Sequence, residues 1–298
     1  MKVRFAIFLF FAFLSLLTFS QIRNKYKYEL LGGIGPTGFM GDLGGAPQNG
    51  THFIRDYNFS STRFNINAGV RYRNKSNFAF KGMLTYAMVS GNDALTKDII
   101  RHNRNLNFRS PIIELSGQVE YYFINEKTKN LYSIAGLKSK KKKRKFAPYI
   151  FAGVGFFFYS PKEELNGKWY SVRKNHTEGQ GLPGGPKQFS NFNVAIPLGL
   201  GFRYTVNKRW SIGAEFGIRK TFTDYIDGVS GKYYDNTKIA QAYGATAAAL
   251  ADPNLGNIPG ATTAGQERGN PKYKDSYMFL TVHVGYKFTK QHRTRAKF

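Results

Sequence analysis

The sequence predicts an all-β protein, an eight-stranded antiparallel transmembrane β-barrel with long extracellular loops. Three observations carry this. Apolar and polar residues alternate with period two over segments long enough to cross a bilayer as tilted strands. Phe (27), Tyr (19) and Gly (32) are abundant although mean hydropathy is only −0.40, as expected when only alternate side chains meet lipid. Long connections alternate with short ones, as in barrels whose termini share one side of the membrane.

Taken in order, the chain opens with Met1, Lys2, Val3 and Arg4 and then an apolar run over 5–19. That is a signal-peptide pattern, too short to span comfortably as a helix. Thr18 and Ser20 occupy the −3 and −1 positions of a cleavage site. Residues 1–20 are therefore read as a signal peptide and 21–298 as the barrel, with a basic tail at 289–298. Cysteine is absent, so neither disulfides nor a lipidated N-terminal Cys are available.

The clearest strands lie at 62–73, 112–124, 192–206, 209–220 and 276–288. In 62–73, Phe64, Ile66, Ala68, Val70 and Tyr72 share one face, with Asn65, Asn67, Gly69 and Arg71 on the other. In 112–124, Ile113, Leu115, Val119 and Tyr121 oppose Glu114, Ser116, Gln118 and Glu120. Asn207-Lys208 is a tight hairpin turn between the next two. The last strand sets Met278, Leu280, Val282, Val284 and Tyr286 against Tyr277, Phe279, Thr281 and His283. Weaker patterns at 26–35, 77–89 and 147–159 complete eight. The odd connections, 36–61, 90–107, 160–191 and 221–275, are long. Of the even ones 74–76 and 207–208 are short, and only 125–146 breaks the rule.

With the aromatic faces on lipid, the inward side chains include Glu29, Glu114, Glu120 and Glu215 together with Arg71, Lys81, Arg203 and Arg219. Acids and bases balance, and an eight-stranded barrel is just wide enough to be filled by its own side chains, so the lumen is expected to be packed. A channel lined by the same charges is the functional alternative.

Motifs for chemistry are sparse. The five histidines are scattered, without metal-ligand spacing, and no nucleophile motif is present. No catalytic residue, cofactor, metal or small-molecule substrate is expected. Asp224, Asp227 and Asp235 lack the oxygen-ligand order of a calcium loop and read as turn chemistry. Residues 240–265, rich in Ala, Gly and Thr, read as the flexible part of the last loop, with a short helix over 245–250 as the alternative.

The formal charge of +26, two of which leave with the signal, would ordinarily raise nucleic acid as a partner. Export argues against it, and the barrel's partner is outer-membrane lipid. The densest basic run is Lys138, Lys140, Lys141, Lys142, Lys143, Arg144 and Lys145. The topology places it on the periplasmic rim with Arg23, Lys25, Lys27, Arg73, Lys75, Lys208, Arg209, Lys290, Arg293, Arg295 and Lys297. A solvated turn and a disordered tail account for such charges. The sharper expectation is an electrostatic dock for an acidic partner.

Three stretches, RNLNFRSPIIELSGQVEYYF (104–123), PYIFAGVGFFFYSPK (148–162) and IPLGLGFRYTVNKRWSIGAEFGIRKTFTDYIDGVSGKYYD (196–235), resemble the PorG-like outer-membrane barrels of the Bacteroidetes type IX secretion system. ELLGGIGPTGFMGDLGG (29–45) is similar to that family's first strand and loop. The resemblance implies a part in protein export, often coupled to gliding motility, and contact with periplasmic ring proteins of the PorK and PorN kind. It implies no catalytic residues. Arg109, Ser110, Pro111 and the 221–225 segment match the family without a stated role, Arg109 to Pro111 being read as the approach to the fourth strand. The chain departs from the family at 138–145 and 240–265.

Overall fold

The computed structural model describes residues 28–43, 61–73, 77–96, 98–124 and 145–288. The expected signal peptide, the basic tail and the run 138–144 lie outside the described residues. Eight long strands close on themselves: β1 (Tyr28–Met40), β2 (Arg63–Arg73), β3 (Phe78–Asn92), β4 (Asn107–Tyr122), β5 (Phe146–Tyr159), β8 (Phe192–Thr205), β9 (Trp210–Thr221) and β10 (Ser276–Lys287). All neighbours pair antiparallel in the order β3-β2-β1-β10-β9-β8-β5-β4, and β3–β4 pairing closes the ring. Closure leaves no sheet edge unpaired in the membrane, which is the condition for crossing it with strands.

The period-two pattern decides which face is which. Ile34, Phe156, Leu200 and Val282 are each about 60% exposed, while Glu29, Asn65, Arg71, Glu114 and Glu120 on the alternate positions are buried. In β10 the exposed apolar row runs from Leu280 to Phe288. At ~3.3 Å per residue that is ~26 Å of strand, or ~20 Å of membrane height at the usual tilt, close to the apolar band of such barrels. Above it the first four residues of β10 and the last four of β1 are buried on both faces, because the loops close over them. Met278, expected on the outward face, is among those covered residues.

Large side chains on β5 stand beside glycines at their cross-strand positions on the neighbouring β8. A Cβ on Gly199 would lie 2.6 Å from the Phe151 ring, and one on Gly201 2.7 Å from the Tyr149 ring. The alternating glycines of 196–204 thus leave room for the β5 aromatics.

Four sequence expectations change. Asn107–Tyr122 is one strand, so Arg109, Ser110 and Pro111 lie within β4 and not before it. Pro111 is tolerated there because the ladder to β5 begins at Ile112 and the next partner on that side joins only at Arg109. That partner belongs to a hairpin unforeseen in the 160–191 loop, β6 (Lys162–Leu165) and β7 (Lys168–Ser171), followed by a short α2 (Val172–Asn175). A further helix, α1 (Ile99–Arg104), sits in the β3–β4 loop, capped by the Asp98 carboxylate. Finally, 240–265 is not simply flexible: it contributes to α3 (Asn236–Tyr243) and α4 (Ala245–Ala251). Ile239, Ala247 and Ala251 pack together there, and Asp235 caps α3 through Thr237 and Lys238. Alanine's helix propensity won over a composition that resembles a linker.

Candidate functional site

The eight inward charges converge into two neutral clusters. In the larger one Arg71 is fully buried and holds three carboxylates: Glu120 at 2.8 Å, Glu29 at 3.1 Å and Glu215 at 3.4 Å. Lys81 bonds Glu215 at 2.6 Å and Glu120 at 3.1 Å, and Arg203 bonds Glu29 at 3.0 Å. Hydroxyls occupy further acceptor positions: Tyr122 donates to Glu120 at 2.8 Å, Tyr149 to Glu215 and Ser211 to Glu29. In the smaller cluster Arg219 lies 3.5 Å from Glu114, which accepts from Tyr277 at 2.8 Å.

Their positions in the ring decide what these contacts do. Arg71 and Lys81 are direct cross-strand neighbours on β2 and β3, a like-charge pairing that costs energy unless compensated. The compensation reaches across the barrel. β9 stands opposite β3, and β10 opposite β4, in the strand order. Lys81–Glu215 and Tyr277–Glu114 therefore join opposite walls, one within each cluster. The rings of Tyr122, Tyr149, Phe151, Phe157 and Tyr277 are buried in the same interior. A lumen crossed by 2.6–2.8 Å contacts is filled with side chains at those levels.

The long-loop end is closed by a cap. An apolar cluster of Phe39, Leu43, Leu106, Phe108, Phe157, Tyr159, Phe189, Ile226, Val229 and others sits between the strand tops and the loops. Polar bonds stitch the loops together: Arg268–Glu178 at 3.0 Å, Arg104 donating to the Asp42 carbonyl at 3.1 Å and to the Arg268 carbonyl, and Asn103 accepting from the Asn257 amide at 2.8 Å.

Within the cap Asp42, Asp224, Asp227 and Asp275 lie close enough to raise one another. They come from the β1–β2 loop and both ends of the β9–β10 loop. The Leu43 and Val229 amides donate to Asp227, Ile226 to Asp275 and Asn270 to Asp42. Burial, with the Glu178 carboxylate and against Arg104 and Arg101, pushes Asp42 up to about 6; burial with the Asp42 and Glu178 carboxylates pushes Asp224 up to about 8, and burial with the neighbouring aspartates raises Asp227 and Asp275 well above the usual range. No three His, Cys, Asp or Glu converge on a metal position among the described residues. Asp224 and Asp227 were visible in the sequence. Asp42 and Asp275 were not, because only loop closure brings them near.

Of the basic residues expected on the short-turn rim, Arg73, Lys145, Lys208 and Arg209 are among the described residues. Lys145 is exposed with its ammonium 5.7 Å from the Tyr204 ring, and Arg73 lies 4.1 Å over Tyr122. Asn207 accepts from the Arg209 and Trp210 amides and fixes the β8–β9 turn that carries Lys208 and Arg209.

A closed barrel with an apolar exterior and an ion-paired interior defines this chain as a transmembrane β-barrel of the eight-stranded class. The chain belongs to the family described as Domain of unknown function (DUF6089), which it matches over residues 4–245. No curated protein matches it in sequence. Solved structures to which it is similar include Neisserial surface protein A (10% identity, 88% of this chain and 97% of that one, TM-score 0.39). Ail of Yersinia pestis (8% identity, 89% and 100% covered, TM-score 0.38) is another. The outer membrane protein OprG of Pseudomonas aeruginosa (11% identity, 91% and 100% covered, TM-score 0.33) is a third.

Proposed function

We propose that this barrel is a non-enzymatic outer-membrane component of the type IX protein secretion machinery, exported by a cleaved signal peptide and inserted as a fixed scaffold. The observation that carries the scaffold reading is the lumen crossed by Lys81–Glu215 and Tyr277–Glu114. With both walls tied together, transport through this chain is disfavoured, and its work falls to its two ends. The capped end faces out, and the basic rim with its Lys138 to Lys145 run faces the periplasm. That rim docks an acidic periplasmic partner, of which ring proteins of the PorK and PorN kind are the candidates. The assignment to this machinery rests on the sequence stretches over 104–123, 148–162 and 196–235.

The test is a crosslinking pull-down of the tagged protein from native envelopes at low and at high salt. Salt-sensitive recovery of periplasmic ring proteins is expected, because an electrostatic dock weakens as ionic strength rises. Neutralising Lys140 to Lys145 is expected to reduce that recovery, and recovery of the barrel alone refutes the assignment.

A further inference from the structure

The β6–β7 hairpin and the top of β4 form a ledge that neither the lumen nor the proposed dock uses. Arg109 shares the outward face of β4 with Ile113 and Leu115, both lipid-facing. Lys162 stands directly opposite it as its cross-strand partner. Two cations in that position repel each other. Among the described residues neither side chain forms an ion pair, and the contact made by the Arg109 side chain is the Trp169 ring, 4.2 Å from its guanidinium carbon. Trp169 is on the same face, because Lys162 pairs with Ser171 and Glu164 with Trp169. The hairpin is held in place by Asn107, which accepts from the Glu164 amide at 2.8 Å and donates to its carbonyl at 3.3 Å.

The height of this ledge identifies what it faces. Ile113 pairs with Tyr86 and Phe158, and Phe158 packs 5.0 Å from Phe192. Phe192 is 70% exposed, so these rings mark the upper girdle of the apolar belt. Arg109 is four residues further along the strand, ~13 Å of chain and ~10 Å of height at the usual tilt. That is the depth of the polar headgroup layer, where Trp is favoured. An arginine pre-oriented on an indole, with a lysine opposite, matches the chemistry of a phosphate.

We propose that Arg109, Lys162 and Trp169 form a binding site for the phosphate of an anionic lipid headgroup in the leaflet on the long-loop side. The phosphate relieves the Arg109–Lys162 repulsion and fixes the barrel's vertical position. This inference rests on the transmembrane fold and is independent of the secretion role.

The test uses the full barrel refolded in nonionic detergent, with Trp210→Phe leaving Trp169 as the sole indole. Short-chain phosphatidic acid is titrated beside short-chain phosphatidylcholine and inorganic phosphate, and Trp169 emission is followed. A saturable change with phosphatidic acid alone is expected, weakened about tenfold or more by R109Q/K162Q, which removes two charge-assisted contacts. Arg109→Lys keeps the charge and should retain most of the binding, and heat-shifted gel mobility verifies that each variant is folded. An equal response to phosphatidylcholine, or an unchanged affinity in the folded double variant, overturns the site. An equal response to inorganic phosphate overturns the lipid as its source.

Discussion

The lumen and the cap handle buried carboxylates in opposite ways. In the lumen Glu29, Glu114, Glu120 and Glu215 each meet an arginine or lysine within 3.5 Å. In the cap Asp42, Asp224, Asp227 and Asp275 face one another, and none forms an ion pair among the described residues. In the first arrangement acids and bases balance one another in direct contact. The second approaches neutrality by retaining protons, which burial and mutual repulsion both favour. The wall of the barrel balances its acids with bases in contact, whereas the cap carries its own sensitivity to pH.

The strongest way to break the lumen side of this contrast is Arg71→Leu. It removes the cation that Glu29, Glu120 and Glu215 share, leaving three buried carboxylates to Lys81 and Arg203, and removing one partner of such a network costs about 3–5 kcal/mol. Failure to refold to the heat-shifted compact band is expected. The same loss from Glu215→Gln should be smaller, because Lys81 and Arg71 keep Glu120. Equal behaviour of the two variants would mean that Arg71 is not the hub.

Gly201→Val probes the same interior by shape instead of charge. Its side chain would press on the Tyr149 ring and on the Glu215 side chain, both under 3 Å from the position of a Cβ. Overpacking of this kind costs typically about 1–3 kcal/mol, so a lower thermal midpoint with retained barrel signature is the expected outcome.

How far these features were legible in the sequence follows from their range. Strand faces are set by the two-residue period, so Glu29 and Arg71 could be placed inward from their neighbours alone. Their pairing across β1 and β2 follows from the register. The bridge from Lys81 to Glu215 spans 134 residues and needed the ring to be closed. The cap was less readable. Its strand ends run past the membrane: the last four residues of β1 are covered on both faces, and the outward positions at the start of β4 are Asn107, Arg109 and Pro111, so apolar alternation carries no signal there. The β6–β7 hairpin turns at Asn166-Gly167, both with positive φ. That dipeptide was a visible turn signal within a segment read only as loop.

The finest test of the contrast is the pH response of the cap. An acid whose pKa is raised on folding binds more protons in the folded state, so its stabilising contribution is complete at acid pH and is lost as pH rises through the folded value. With Asp42 near 6 and Asp224 near 8, the cap should loosen over that window. The Leu43 and Val229 amides, which bond Asp227, and the Ile226 amide, which bonds Asp275, report on the same cluster. Their hydrogen-exchange protection, corrected for intrinsic rates, should fall as pH rises from about 6 to about 8, while amides of the β1–β10 ladder hold. Asp224→Asn removes one titrating group and its repulsion of Asp42, Asp227 and Asp275, so it should flatten that fall and leave the ladder untouched. A profile equally steep in the variant would place the sensitivity in the other three aspartates or in Glu163, which burial also raises to about 8, and a parallel loss in the ladder would mean that cap and wall open as one unit.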